Sequence, residues 1–129
     1  MPDLITHHHQ VEHNRAVMVY LEQAGVEHLD WVVTVMFYMA MHLVDQVLFQ
    51  HHKLNPRNHH QRHAAIANEA ELAPAYADYR ELEHQSRQSR YECVTFSKSE
   101  VDRLAVRLAR IEQTVNTIIQ PAPRQQQSE

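Results

Sequence analysis

The sequence predicts a single all-α domain, a four- to five-helix up-and-down bundle over residues 1–120 followed by a disordered tail over residues 121–129. Two observations carry that expectation. The 129 residues hold one glycine, Gly25, and five prolines, with no Asn-Gly or Asp-Gly pair of the kind that turns a hairpin. Between these few interruptions, apolar residues recur every three or four positions, which is the period of a helix face.

The elements follow in order. A first helix is expected over Thr6–Ala24, with Gly25 as its stop and a histidine-rich, solvated start at His7, His8 and His9. A second helix over Val26–Lys53 contains the most apolar segment, Trp31 to Phe49. Asp45 within it would be costly in lipid, so a buried core helix is expected and no membrane span. Leu54-Asn55-Pro56 breaks it, because a residue before proline avoids the α region. A short third helix is expected over Asn58–Glu71. Pro74 then opens a fourth, to Tyr91, whose inward face carries Tyr76, Tyr79, Leu82 and Ser86. Ser97 and Glu100 make a capping box for the last helix. Its stripe is Val101, Leu104, Leu108, Ile111, Val115, Ile118 and Ile119, and Pro121 ends it.

Composition narrows the function. The single cysteine, Cys93, fits a reducing compartment, and the polar first ten residues carry no signal-peptide pattern, so a cytoplasmic location is expected. A formal charge of −4 excludes a generally basic nucleic-acid coat. One local patch stands out. Gln46 to Asn68 lacks any acidic residue and carries Lys53, Arg57, Arg62 and five histidines, a pattern that suits a phosphate backbone or a polar surface connection. Within it, Arg57 and His63 are candidate catalytic residues: an arginine can neutralise a strained phosphate while a histidine moves a proton. Lys53, Asn58 and Arg62 are candidate nucleic-acid contacts. So are Arg87, Arg90 and Tyr91 at the end of the fourth helix, where arginines equally suit the helix dipole.

Two further groups carry polar chemistry. His42 and Asp45 lie one turn apart on the second helix, either as a buried polar pair or as groups aimed into a cleft. Twelve histidines invite a metal reading, since His9 and His13, or His59 and His63, are spaced to share an ion, and Glu81 and His84 form one Glu-x-x-His pair. Such pairs arise by chance in so histidine-rich a chain, and bundle di-iron sites need a second Glu-x-x-His pair. The expectation is therefore no metal and no cofactor.

The order of these features resembles small prokaryotic HEPN-domain proteins. Trp31 and Phe37-Tyr38-Met39-Ala40-Met41-His42-Leu43-Val44-Asp45 are similar to that family's second helix. Asn55-Pro56-Arg57-Asn58-His59-His60-Gln61-Arg62 is similar to its proline, histidine and arginine connection. Tyr76, Tyr79, Leu82, Ser86 and Ser89-Arg90-Tyr91 resemble its fourth helix, and Phe96-Ser97 with Glu100-Val101 the opening of its last. The resemblance spans Trp31 to Ile119. It implies a homodimeric bundle linked to RNA cleavage, toxin–antitoxin modules or defence, with RNA or a cognate antitoxin as partner. It also implies the Arg57, Asn58 and His63 pattern of the family's ribonucleases. Three classes stay open: a metal-independent endoribonuclease, a non-catalytic RNA- or protein-interaction module, and a histidine-rich bundle metalloprotein.

Overall fold

A computed structural model describes residues 2–119; the expected tail at 121–129 lies outside them. The described chain is an all-α bundle of five helices: α1 (Leu4–Gln23), α2 (Leu29–His52), α3 (His59–Ala67), α4 (Ala73–Tyr91) and α5 (Lys98–Ile119). Single 3₁₀ turns, Val26–His28 and Ala70–Leu72, lead into α2 and α4.

The long helix α2 is the axis of the fold. Helices α1, α4 and α5 pack around it, and α4 also packs on α5. Val32, Val33, Met36, Phe37, Met39, Ala40, Leu43, Val44, Val47 and Leu48 are buried on several sides of α2. A helix apolar around most of its circumference is stable in water only when neighbours cover it. Its length and composition alone would suffice for a membrane span, but most of that window is covered inside the bundle. The apolar surplus of α2 is thus largely used within one chain. Trp31, at its start, is the exception and stays exposed.

Local chemistry sets the ends of the helices. Asp3 caps α1 by accepting the Thr6 amide at 2.9 Å. Gly25 follows α1 at φ +123°, a backbone conformation open to glycine and strained for other residues. The Ser97–Glu100 capping box forms reciprocally: the Ser97 amide donates to Glu100 Oε1 at 2.8 Å and the Glu100 amide to Ser97 Oγ at 3.2 Å. Along α5, Val101, Leu104, Leu108, Ile111 and Val115 are buried as the period requires, each contributing about 1.5–3 kcal/mol.

Two expectations change. The third helix ends at Ala67 and does not reach Glu71. Glu69 adopts an extended conformation, and its buried carboxylate accepts from His51 at 3.1 Å and His52 at 2.9 Å, pulling the chain out of helix. The histidine-rich start of α1 is also not uniformly wet. His8 and His9 are exposed, but His7 is buried against α2, where polar partners receive it.

Candidate functional site

The site is a polar seam where α2, α3 and α4 meet. Helix α3 begins where it does because Asn58, in extended conformation, accepts the Gln61 amide at 2.8 Å. That start places His59, Arg62 and His63 on α3 to face polar residues of α2 and α4.

Arg62 is buried and donates to Asp45 through Nε at 2.8 Å and Nη2 at 3.1 Å; Nη2 also donates to the Pro56 carbonyl at 3.3 Å. Its role as a nucleic-acid contact is corrected by this geometry: a guanidinium enclosed and committed to a carboxylate is withheld from an external phosphate. Asp45 is buried with it, while His42 is half-buried and meets His7 of α1, Nδ1 to Nδ1 at 3.0 Å. Burial, with His7 and Arg62 nearby, holds the His42 imidazolium pKa below its ordinary value.

Glu83 of α4 is buried between two histidines. Its Oε1 accepts His63 Nε2 at 2.8 Å, and His63 Nδ1 lies 3.0 Å from the Tyr76 hydroxyl. With Nε2–H committed to the carboxylate, Nδ1 is the acceptor for Tyr76 O–H, so both nitrogens of His63 are engaged. Glu83 Oε2 instead faces His59 Nδ1 at 3.5 Å, and neither atom has a hydrogen-bond partner among the described residues. The His59 ring leans on Phe37 with centroids 5.7 Å apart. Its Nε2 makes no hydrogen bond among the described residues and is not buried. His59 and Glu83 therefore form a carboxylate–imidazole dyad with one ring nitrogen directed outward. Desolvation lowers the His59 pKa; Arg62, Arg87 and Arg90 reinforce the shift, and Glu83 opposes it. Neutral His59 is a base. Beneath it, burial pushes the Tyr79 hydroxyl well above its ordinary pKa, beside the Arg62 guanidinium.

Arg90 is held in place on the outer side. Nε donates to the Ser86 carbonyl at 3.3 Å and Nη1 to the Tyr38 hydroxyl at 3.0 Å. Its guanidinium lies over the rings of Tyr38 and Tyr91, at 5.7 and 5.1 Å from the centroids, and Nη2 makes no bond among the described residues. Arg87 and Tyr91 are exposed. A groove of about 330 Å³ runs from Arg90 past Ser89 and Thr34 to Asp30 and Trp31.

The remaining sequence candidates sit as follows. Arg57 is exposed, and its side chain bonds to no described residue; only its amide does, donating to Gln61 Oε1 at 2.8 Å. Lys53 is exposed at the end of α2, its ammonium 5.0 Å over the Phe49 ring. Asn58 is spent as a cap. The structure brings His63 and His59 together on Glu83, with Arg87 and Arg90 near enough for their charges to act on His59, while the Arg57 guanidinium makes no hydrogen bond or ion pair among the described residues. The segment that is acid-free in sequence acquires carboxylates in space: Asp45 on Arg62, Glu69 on His51 and His52, and Glu83 on His59 and His63. Glu83 was missed in sequence, although it lies four residues after Tyr79 on the inward face already marked. Comparison of the chain with protein-family models, curated proteins and solved structures returns no match.

Proposed function

We propose that this chain is a HEPN-like module that binds RNA and cleaves it without metal, acting as a cytoplasmic homodimer in a toxin–antitoxin or defence setting. The observation that supports this reading is the His59–Glu83 dyad on a half-buried histidine, with the charges of Arg87 and Arg90 acting on it. RNA carries its own nucleophile, so the protein has only to move a proton and neutralise charge. Neutral His59 takes the 2′-hydroxyl proton at Nε2. Glu83 Oε2, 3.5 Å from Nδ1, stabilises by its charge the imidazolium that forms. The 2′ oxygen bonds to phosphorus, the P–O5′ bond breaks, the departing 5′ oxygen takes a proton from water, and His59 then returns its own proton to solvent. The products are a 2′,3′-cyclic phosphate and a 5′-hydroxyl. Arg90, with its free Nη2, and Arg87 neutralise the non-bridging oxygens. The acid–base role moves from His63 to His59 in this reading, because His63 has no free nitrogen; Arg57 is left to an outer phosphate contact.

The test incubates single-stranded RNA in chelator with the wild-type protein and with His59→Ala, His63→Ala and Arg57→Ala, following both retention and fragment length. Losing His59 should slow cleavage by roughly a hundredfold or more, and DNA should stay intact because it lacks the 2′-hydroxyl. Cleavage that survives His59→Ala overturns the dyad assignment. Neither binding nor cleavage at low salt makes the chain a protein-interaction module instead.

A further inference from the structure

A second polar cluster joins the dyad's seam through Arg62 and Asp45 but uses different groups. Asp3 starts α1 so that His7 lies in its first turns, and α2 sets His42 and Asp45 one turn apart on one face. Each of the three offers one ligand atom, and these atoms lie within 4.8 Å of one another. We propose that His7, His42 and Asp45 form a binding site for a divalent transition-metal ion of the zinc class, held through the two Nδ1 atoms and a carboxylate oxygen.

Three features of the geometry support it. The two Nδ1 atoms are 3.0 Å apart. Bonds of about 2.0–2.1 Å meeting at about 90–110° put two ligating nitrogens about 2.9–3.4 Å apart, so the pair already has a chelating separation. His7 Nε2 faces Asn55 Oδ1 at 2.8 Å, and Asn55 Nδ2 donates to the Pro2 carbonyl at 2.9 Å. The Asn55 oxygen is therefore the acceptor, His7 carries its proton on Nε2, and His7 Nδ1 presents a lone pair. A metal-binding histidine is ordinarily oriented in this way, by a carbonyl on its other nitrogen. Arg62 takes one lone pair from each Asp45 oxygen, and a carboxylate has about four, so Asp45 keeps capacity for an ion while Arg62 orients it.

Without an ion, His42 Nδ1–H donates to His7 Nδ1. With one, that proton moves to His42 Nε2 and both Nδ1 atoms turn to the metal. Two imidazoles and a carboxylate suit Zn²⁺ or Co²⁺ and are a poor match for Mg²⁺ or Ca²⁺, which prefer oxygen alone. The ligands come from two helices thirty-odd positions apart in sequence, on no local spacing, which is why the sequence reading expects no metal. The ion's place is structural, pinning α1 to α2, and the proposed RNA cleavage does not use it.

The experiment titrates the untagged, metal-stripped full chain with Zn²⁺, Co²⁺ and Mg²⁺ by calorimetry and thermal melting. One Zn²⁺ or Co²⁺ per chain is expected, with a raised melting temperature and no response to Mg²⁺. His7→Ala should abolish uptake, and Asn55→Ala should weaken it about 10- to 100-fold. His51→Ala and the double variant His8→Ala/His9→Ala should bind as wild type. Should His7→Ala fail to fold, Asn55→Ala decides by the same criterion. No uptake by wild type, or uptake intact in the deciding variant, overturns the site. So does uptake lost in His51→Ala, which would put the ion on His51, Glu69 and Glu71.

Discussion

Arg62 of α3 grips both oxygens of Asp45 of α2 in a buried two-bond ion pair, at 2.8 and 3.1 Å. It is the connection through which the short helix α3 is fastened to the core helix. Charges this enclosed persist only as a matched set, since either one alone would face a large desolvation cost. Removing only the carboxylate should therefore be worse than removing both partners. Asp45→Ala is expected to destabilise by about 3–5 kcal/mol, and Asp45→Leu/Arg62→Met to recover much of that. Urea melts of the single and double variants measure it. Equal losses in both would mean that an unpartnered Arg62 carries no desolvation cost in the single variant.

Acid should loosen the fold before Asp78 or Glu69 titrates. Burial depresses the pKa of His42, and desolvation that of His59, below the ordinary 6.5. The unfolded chain then binds more protons than the folded one as the pH falls through that value. Stability from these two neutral histidines is complete above about pH 6.5 and is lost progressively below it. Asp78, lowered chiefly by its hydrogen bond from Arg110, and Glu69, lowered by His51 and His52 against burial, lose their contributions only below their ordinary 3.8 and 4.5. The urea midpoint should fall between about pH 7 and about pH 5, and less so in His42→Gln. A flat profile in wild type would rule this out.

Arg90 is the most organised cation at the candidate interface. Arg90→Lys keeps the charge but loses the fork that spans Ser86 and Tyr38 and the stack on Tyr91. It should weaken RNA retention about as much as Arg90→Ala. Arg57→Ala should instead act as a simple charge loss and flatten the salt dependence of binding by roughly one unit. Filter binding across a salt series separates the two behaviours. Full retention by Arg90→Lys would reduce that residue to a point charge.

The homodimer remains a prediction, on altered grounds. With the apolar face of α2 covered, the exposed apolar residues include Tyr20 at 73% exposure, Val26 at 72% and Trp31 at 57%, at the end of α1 and the start of α2. Light scattering at micromolar concentration should give twice the mass of one chain, and Trp31→Asp should reduce it to one. A monomeric wild type would leave the RNA site to be completed within a single chain.

The number and order of the helices were legible in the sequence because their causes are local, while the end of α3 was not, since Glu69 leaves the helix for His51 and His52 of α2. The 3.6-residue period of α5, the Ser97–Glu100 box and the break at Leu54-Asn55-Pro56 act among residues a turn or two apart. Tertiary structure decided which polar residues are spent and which are free. His63 and His59 look equivalent in sequence, yet Tyr76 and Glu83 occupy both nitrogens of one and leave Nε2 of the other open. Arg62 and Arg57 look alike within an acid-free stretch, yet only Arg62 meets a carboxylate, from a helix seventeen positions earlier. His7 looks like its wet neighbours until α2 supplies His42. A side chain's local pattern fixes the face of the helix it occupies, but its partners and its exposure to water come from other helices, and those arrive only when the bundle closes.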